Sequence, residues 1–325
     1  MHRFVYPILI CLLAAAGCSG RFLPAAETPS AIEAKRFVIV TAGANDSLVS
    51  LARTHLKDGD KAWQIAAFND IEQVTPGQRV VIPLTPIYPG GIYENGYQTV
   101  PVLLYDRLTT NPSRAKAVNI RDFKRQMAYL NENGYTTVSL DQFHAFLSQM
   151  DQLPPMSIIV SFDTTRSWAY EIAFPILKSL GMKAAFFIRP DEIGTQGRMT
   201  WAQVAEMARG GMDFGLYGSR IEPPDGENAK DFFTAYDEEL TAATQSFKSN
   251  IRRPCRYFAF SGGMLHDMTV AMLKKHGYRA GFTSNRGTNP FFADNFKIKR
   301  AAIYGSYSME QFRQNLATFR SAELK

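Results

Sequence analysis

The apolar run Ser157 to Phe162, SIIVSF, ends in Asp163, Thr164, Thr165 and Arg166 before a helical pattern resumes. A buried strand that delivers a carboxylate to its carboxyl end sets a general base, or a metal ligand, at the mouth of a sheet. Asp106 and one of Asp191, Glu192 or Glu222 would complete with Asp163 an oxygen-only ligand set, suited to calcium or magnesium rather than zinc, although nothing in their spacing requires it. Asp163 also has a structural reading, in which it pairs with Arg166 or Arg220 or accepts hydrogen bonds from Thr164 and Thr165.

The other chemically able residues are dispersed. Of the five histidines, His2 lies in the N-terminal apolar stretch, His55 in a first small module and His144 inside a helical pattern. His276 falls in a last helical turn, where a positive charge suits the macrodipole, and His266 reads as a helix start near a strand end. Cys11 and Cys18 belong to the N-terminal segment, which leaves Cys255 as the one thiol of the remainder and excludes both a disulfide framework and a Cys/His zinc cluster. Cys255 has no histidine nearby in sequence to activate it and reads as a small buried filler. Tyr105, Trp168, Trp201 and Tyr217 fall near loops, where aromatic faces can stack on sugars, though most such rings pack into cores.

The elements that must position these residues follow from the pattern. Hydrophobic residues make up 46% of 325 residues, enough for a sizeable core and more than one domain. The net charge of +6 is scattered without a basic run, so no nucleic-acid role is expected. Residues 1–17 read as a signal: a short positive start, an apolar stretch from Phe4 to Ala16 too short to span a bilayer, and AAGC ending at Cys18. Residues 18–35 form a Pro/Ala tether. Residues 36–84 read as strand, helix, helix, strand, with Asp46 as the first helix cap. Residues 85–97, rich in Pro and Gly, read as a linker. From 98 to 325 strands and helices alternate, with Asp141 as one helix cap and capping boxes at Thr200/Gln203 and Ser308/Gln311. Near-continuous apolar strands between helices call for an α/β fold with a parallel sheet or barrel and its site at the strand carboxyl ends.

Three resemblances attach to these segments. The N-terminus resembles a bacterial lipoprotein signal, which implies acylation of Cys18, membrane attachment through that lipid and, with Ser19 next, the periplasmic face of an outer membrane. Residues 36–84 resemble a LysM module through VTAGANDSLVSLA, Asn69 and PGQRVVIP. That resemblance implies binding of N-acetylglucosamine-containing glycans such as peptidoglycan, with Asn69 a glycan-facing candidate. Residues 98–325 resemble the polysaccharide deacetylases of the NodB-homology type: VPVLLYDRL, NIRDFKRQMAYLNENGYTTVSLDQF, IIVSFDTTRSWAYEIAFPILKSLGMKAAFFI, MTWAQVAEMARGGMDFGLYGSR and YFAFSGG follow the family order.

This last resemblance implies a deformed (β/α) barrel beside the small βααβ module, and removal of acetyl groups from N-acetylated sugars with a divalent metal such as zinc. Amide hydrolysis needs a polarised carbonyl, an activated water and a base. The family places base and ligand in FDDG, and two histidine ligands in HSxxH. Here Asp163 stands at the base position, Thr164 at the ligand aspartate, and Tyr217 and Ile221 at the two histidines; Asp106 stands at the early histidine and Ser261 at the proline of the third block. Neutral Thr and Tyr hydroxyls are poor zinc ligands, and Ile is none. The expectation is therefore a lipid-anchored envelope protein that uses no metal cofactor. It would bind peptidoglycan or an exported N-acetylated polysaccharide without deacetylating it, with Asp163 vestigial and Tyr105 and Asp106 facing the glycan. Two alternatives stand: deacetylation with another metal set, and a scaffold for an envelope protein partner.

Overall fold

A computed structural model describes residues 36–322 apart from 86, 88, 94, 112–115, 219–228 and 264. Cys18, Arg220, Ile221 and Glu222 lie outside the described residues. The chain forms two compact units, one ending at Thr85 and the other beginning at Pro86.

In the smaller unit, β1 (Phe37–Thr41) and β2 (Arg79–Pro83) pair antiparallel around α1 (Leu48–His55) and α2 (Ala62–Asn69). Leu51, Ala52, Ile65, Val80 and Ile82 make its core. The α1 cap is Ser47, one residue later than expected: its hydroxyl accepts from the Ser50 N–H and the Ser50 hydroxyl answers the Ser47 N–H, while Asp46 accepts from Gly43 at 2.7 Å. Asn69, expected to face a glycan, is committed inside the unit. Its Nδ2 donates to the carbonyls of Ile65 (2.8 Å) and Val81 (2.7 Å), and its Oδ1 accepts from the Val81 N–H (2.8 Å), so it clamps α2 to β2. A side chain that spends both donors and one acceptor lone pair on the backbone has a structural task here.

The larger unit is built on a curled sheet. Six strands run parallel in the order β12 (Ala280–Phe282), β11 (Tyr257–Ala259), β10 (Asp213–Tyr217), β9 (Ala185–Ile188), β8 (Ser157–Asp163) and β4 (Gly96–Tyr105). Beyond β4 the segment 298–302 curls back. Ile298 bridges Phe282 of β12 in parallel, and β14 (Ala301–Ala302) pairs in parallel with Leu103 and Leu104 of β4. Residue 300, between the two bridges, therefore sits where the sheet's edges meet.

Ile92, Tyr93, Gly96 and Tyr97, expected in a linker, belong to the sheet: β3 (Ile92–Tyr93) pairs with the first residues of β4, which in turn pair with β15 (Phe319–Ser321). Gly96, at φ 152°, allows this because a Cβ there would stand 2.2 Å from the Arg320 carbonyl.

The sheet buries both faces. One carries Leu103, Tyr105, Val160, Phe162, Phe186 and Phe258 against surrounding helices, among them α3 (Ile120–Glu132), α6 (Trp201–Arg209) and α7 (Ala229–Ile251). The other carries Val102, Ile159, Phe187, Ala259 and Phe282, together with Phe143 and Phe146 of α4 (Leu140–Leu147). The cap of α4 is Ser139 in a box with Gln142, not Asp141. Asp141 instead accepts from the Tyr257 hydroxyl and from Arg279, and Asp213 accepts from the Leu140 N–H at 2.7 Å. These partners sit at the starts of β10 to β12, so α4 plugs the end of the sheet opposite the strand carboxyl termini. The boxes Thr200/Gln203 of α6 and Ser308/Gln311 of α9 (Met309–Arg313) form as the sequence predicts. The helix expected over Ser167–Gly181 opens instead with a π-helical turn, Phe174 donating to the Ala169 carbonyl, before α5 (Phe174–Ser179); Pro175 has no N–H with which to continue the regular ladder there.

Candidate functional site

Asp163 ends β8, and its neighbour across the ladder is Phe187. Both its carboxylate oxygens are taken by one guanidinium. Arg300 donates Nη1 to Oδ1 at 2.6 Å and Nη2 to Oδ2 at 2.8 Å. The Arg300 side chain is 1% exposed and that of Asp163 10%. The guanidinium Nε donates to the Thr283 carbonyl at 2.8 Å, and the cation lies 5.5 Å from the Phe187 ring centroid. That ring has its place because residue 215 is glycine: a Cβ on β10 there would stand 2.7 Å from the Phe187 ring. The bidentate pair is strong, directional and shielded from water. Of the two expected partners, Arg166 is exposed and makes no ion pair with Asp163 among the described residues, and Arg220 lies outside the described residues. Arg300 is 137 residues from Asp163 in sequence and is brought to it only by the closing segment.

Thr164 is 7% exposed and spends its hydroxyl lone pair on the Arg166 N–H at 3.2 Å, in a tight turn, while its own N–H donates to the Phe187 carbonyl at 3.0 Å. Thr165 donates its hydroxyl to Glu192. Glu192, expected on a solvated loop, also accepts from Arg198 at 3.1 Å and lies 3.7 Å from Arg189, so it pins the loop after β9 to the turn after β8. Asp191 is the solvated one, its side chain 67% exposed and paired with Arg189 at 3.0 Å.

Two concavities meet on these residues. A small one of about 150 Å³ is lined by Asp163, Thr164, Thr165, Arg166, Phe187, Arg189, Glu192, Arg198 and Tyr217. A wider one of about 400 Å³ shares Asp163, Thr164 and Arg166 and adds Asp106, Arg107 and Lys116. The structure thus gathers Asp163, Thr164 and Tyr217 around one chamber and sets Asp106 in the next. Tyr105 is not with them. It is fully buried on the opposite face of β4, donating to Gln126 at 2.7 Å and packed on Phe123 and Phe162, and burial pushes its phenol well above its ordinary range. Trp168 and Trp201 pack on Phe162 and Phe247.

The donor set does not fit a zinc or another divalent ion. Among the described residues no three His, Cys, Asp or Glu side chains converge. Both Asp163 oxygens are engaged by Arg300, and Glu192 is held by a hydroxyl and two arginines. The oxygen-only set of Asp106, Asp163 and Glu192 therefore does not form. His144 sits on α4 away from the chamber, with its pKa lowered chiefly by burial; His266 and His276 flank α8 (Asp267–Lys275), the latter 2.9 Å from Asp237. Burial pushes the Cys255 thiol up to about 12, so it is inert at neutral pH.

With this geometry in view, the chain can be set beside known proteins. Residues 151–281 match the profile of the family described as polysaccharide deacetylase, a span that holds Asp163, Thr164 and Tyr217 and leaves out Asp106 and Arg300. YxkH of Bacillus subtilis, whose name places it among the polysaccharide deacetylases, is 24% identical over 58% of this chain, which spans 65% of that relative's length, under two thirds. The poly-beta-1,6-N-acetyl-D-glucosamine N-deacetylase of Staphylococcus epidermidis is 23% identical over 58% of this chain and 68% of its own. The structure of the Streptococcus pyogenes deacetylase PplD in complex with acetate superposes with a TM-score of 0.61 at 22% identity, over 67% of this chain and 98% of that one, which shows a shared fold. The larger unit thus shares the curled α/β fold of these deacetylase structures, and residues 151–281 are similar to the polysaccharide deacetylase family.

Proposed function

We propose that the protein is a glycan-binding member of this family that does not deacetylate. The observation that carries the reading is the Asp163 carboxylate closed by Arg300 beside a neutral Thr164, in a chamber whose next wall is Tyr217. Metal-assisted amide hydrolysis needs a set of good ligands with an open position, and the neutral hydroxyls of Thr164 and Tyr217 are poor ligands for a divalent ion. The concave site at the strand ends remains, and the relatives' named substrate, an N-acetylglucosamine polymer, makes such a polysaccharide, or peptidoglycan, the proposed ligand. The reading extends to the N-terminus. Cys18 would carry a lipid, and residues 36–84, a βααβ unit with LysM-like sequence, would give a second glycan contact at the periplasmic face of an outer membrane.

The names of the relatives favour a second reading, N-deacetylation through a ligand set of another kind. One experiment separates the two. Zinc, cobalt and nickel are titrated into the chain by calorimetry, and acetate release from poly-N-acetylglucosamine is followed with each metal. The proposal expects no stoichiometric ion and no acetate above the protein-free control, with polymer still retained in a pulldown. One tight ion per chain together with acetate release would refute it.

A further inference from the structure

The wider chamber has a charge imbalance that the neutral sugars named above do not explain. Among the described residues its wall presents three cations, Arg107, Lys116 and Arg166, and two carboxylates, Asp106 and Asp163. Asp163 is already neutralised by Arg300, which stands behind the wall. Three cations therefore face one uncompensated carboxylate. Arg107, Lys116 and Arg166 are all exposed and make no ion pair among the described residues, unlike Arg189, Arg198, Arg279 and Arg300, each held by a carboxylate. The floor agrees with the wall. Thr164 accepts the Arg166 N–H with a lone pair, which leaves its O–H proton free to donate into the chamber. Guanidinium, ammonium and hydroxyl donors converging on one concavity, with Asp106 the carboxylate not held by an arginine among the described lining residues, suit an oxyanion. The cavity, about 400 Å³, lies within the range of ligand pockets, roughly 300–1,000 Å³.

We propose that this chamber takes an acidic saccharide unit, one that carries a carboxylate or phosphate, with its oxyanion against Arg166, Arg107, Lys116 and the Thr164 hydroxyl. The inference rests on the glycan-binding reading and narrows it from N-acetylated polysaccharide in general to anionic glycan. Asp106 sets selectivity by opposing anions that bind loosely.

The test uses the full chain and four probes: tetragalacturonate, its methyl ester, a phosphorylated mannose tetramer and the neutral chitotetraose. The expected result is binding of tetragalacturonate, of the phosphorylated tetramer or of both, weakening as salt rises, with the methyl ester at least about tenfold weaker because esterification removes the charge that the cations hold. Which acid binds better identifies the source of the oxyanion. Combined Arg107→Gln and Arg166→Gln should weaken the acidic probe by about tenfold or more, and Asp106→Asn should tighten it by roughly two- to fivefold. The opposite signs matter, because damage to folding weakens both. These side chains are exposed, so the variants should fold, and unchanged urea midpoints would verify it. Acidic and esterified probes binding equally, or the Asp106 and arginine variants shifting in the same direction, would overturn the proposal. Chitotetraose retained with every acidic probe rejected would overturn it and spare the glycan-binding reading. Loss of all four would overturn both.

Discussion

Replacing Arg300 with methionine tests the feature on which the site reading depends most. The guanidinium is 1% exposed, and it makes two bonds to Asp163 of 2.6 and 2.8 Å and a third to the Thr283 carbonyl of 2.8 Å. Methionine fills much of the same volume against Phe187, so the cavity contribution is small and the loss is mainly electrostatic. Removing one member of a buried pair leaves the other charged and unpaired, at a cost of about 3–5 kcal/mol. With a urea dependence of about 3 kcal/mol per molar, the midpoint of this unit should fall by roughly 1–1.7 M. The chain has three tryptophans, and only Trp63 lies in the smaller unit. In a Trp63→Phe background Trp168 and Trp201 therefore report the larger unit alone by fluorescence. Asp163→Asn should also destabilise, by leaving the guanidinium buried without its counter-charge, and the double variant should recover part of the loss because neither ion is left unpaired. A cost below about 1 kcal/mol for Arg300→Met, or single effects that simply add in the double variant, would refute the pair as the lock on this edge of the sheet.

Three further outcomes follow from other residues. Asn69→Ala removes three hydrogen bonds that join α2 to β2 and should cost the smaller unit about 2–4 kcal/mol, read by faster hydrogen exchange at the Val81 amide; unchanged exchange would return Asn69 to the glycan-facing candidates. Burial holds the Asp213 carboxyl above its ordinary range, so the folded chain binds that proton more tightly than the unfolded one. Its contribution is thus most favourable below the unfolded pKa, near 3.9, and is lost as the pH rises through the raised folded value. Asp213→Asn should flatten that fall in urea stability measured upward from about pH 4, and a slope that persists would assign it elsewhere. Finally, Thr164→Asp with Tyr217→His and Ile221→His should create one zinc site per chain by calorimetry, where the unaltered chain has none; no gain would mean that these positions do not share one coordination sphere.

What the sequence disclosed and what it hid divide along sequence distance. Strand β8 and the helices around it were readable because apolar runs, capping boxes and glycine stops are local signals; Thr200/Gln203 and Ser308/Gln311 cap where their spacing says. The misplaced caps at Asp46 and Asp141 were local choices between neighbouring side chains, settled by the serines that also bond back in reciprocal boxes. Tyr105 was misjudged because β4 is apolar on both faces, so no alternation revealed that it points toward α3 with Leu103 rather than into the chamber. Arg300 carried no local signal at all. Its partner is fixed by a sheet closure made of the single Ile298 bridge and the two residues of β14, which only the folded chain brings together.

That closure also separates the survival of Asp163 from catalysis. Arg300 lies between the Ile298 bridge to β12 and the β14 ladder to β4, and Asp163 ends β8, the strand beside β4. The ion pair therefore ties the closing segment to the sheet, a task that holds the aspartate in place whether or not it ever takes a proton from water. The charge count follows. With Asp163 balanced by Arg300, any negative charge to offset a divalent ion in this chamber has to come from another residue, and position 164 offers a neutral hydroxyl. A cation brought there would meet Arg166, which has no ion-pair partner among the described residues, whereas an anion in the adjoining space meets Arg107, Lys116 and Arg166. A neutral side chain at 164 beside the paired Asp163 would thus leave these strand ends better suited to negative charge than to a metal ion, as the proposed anionic glycan requires.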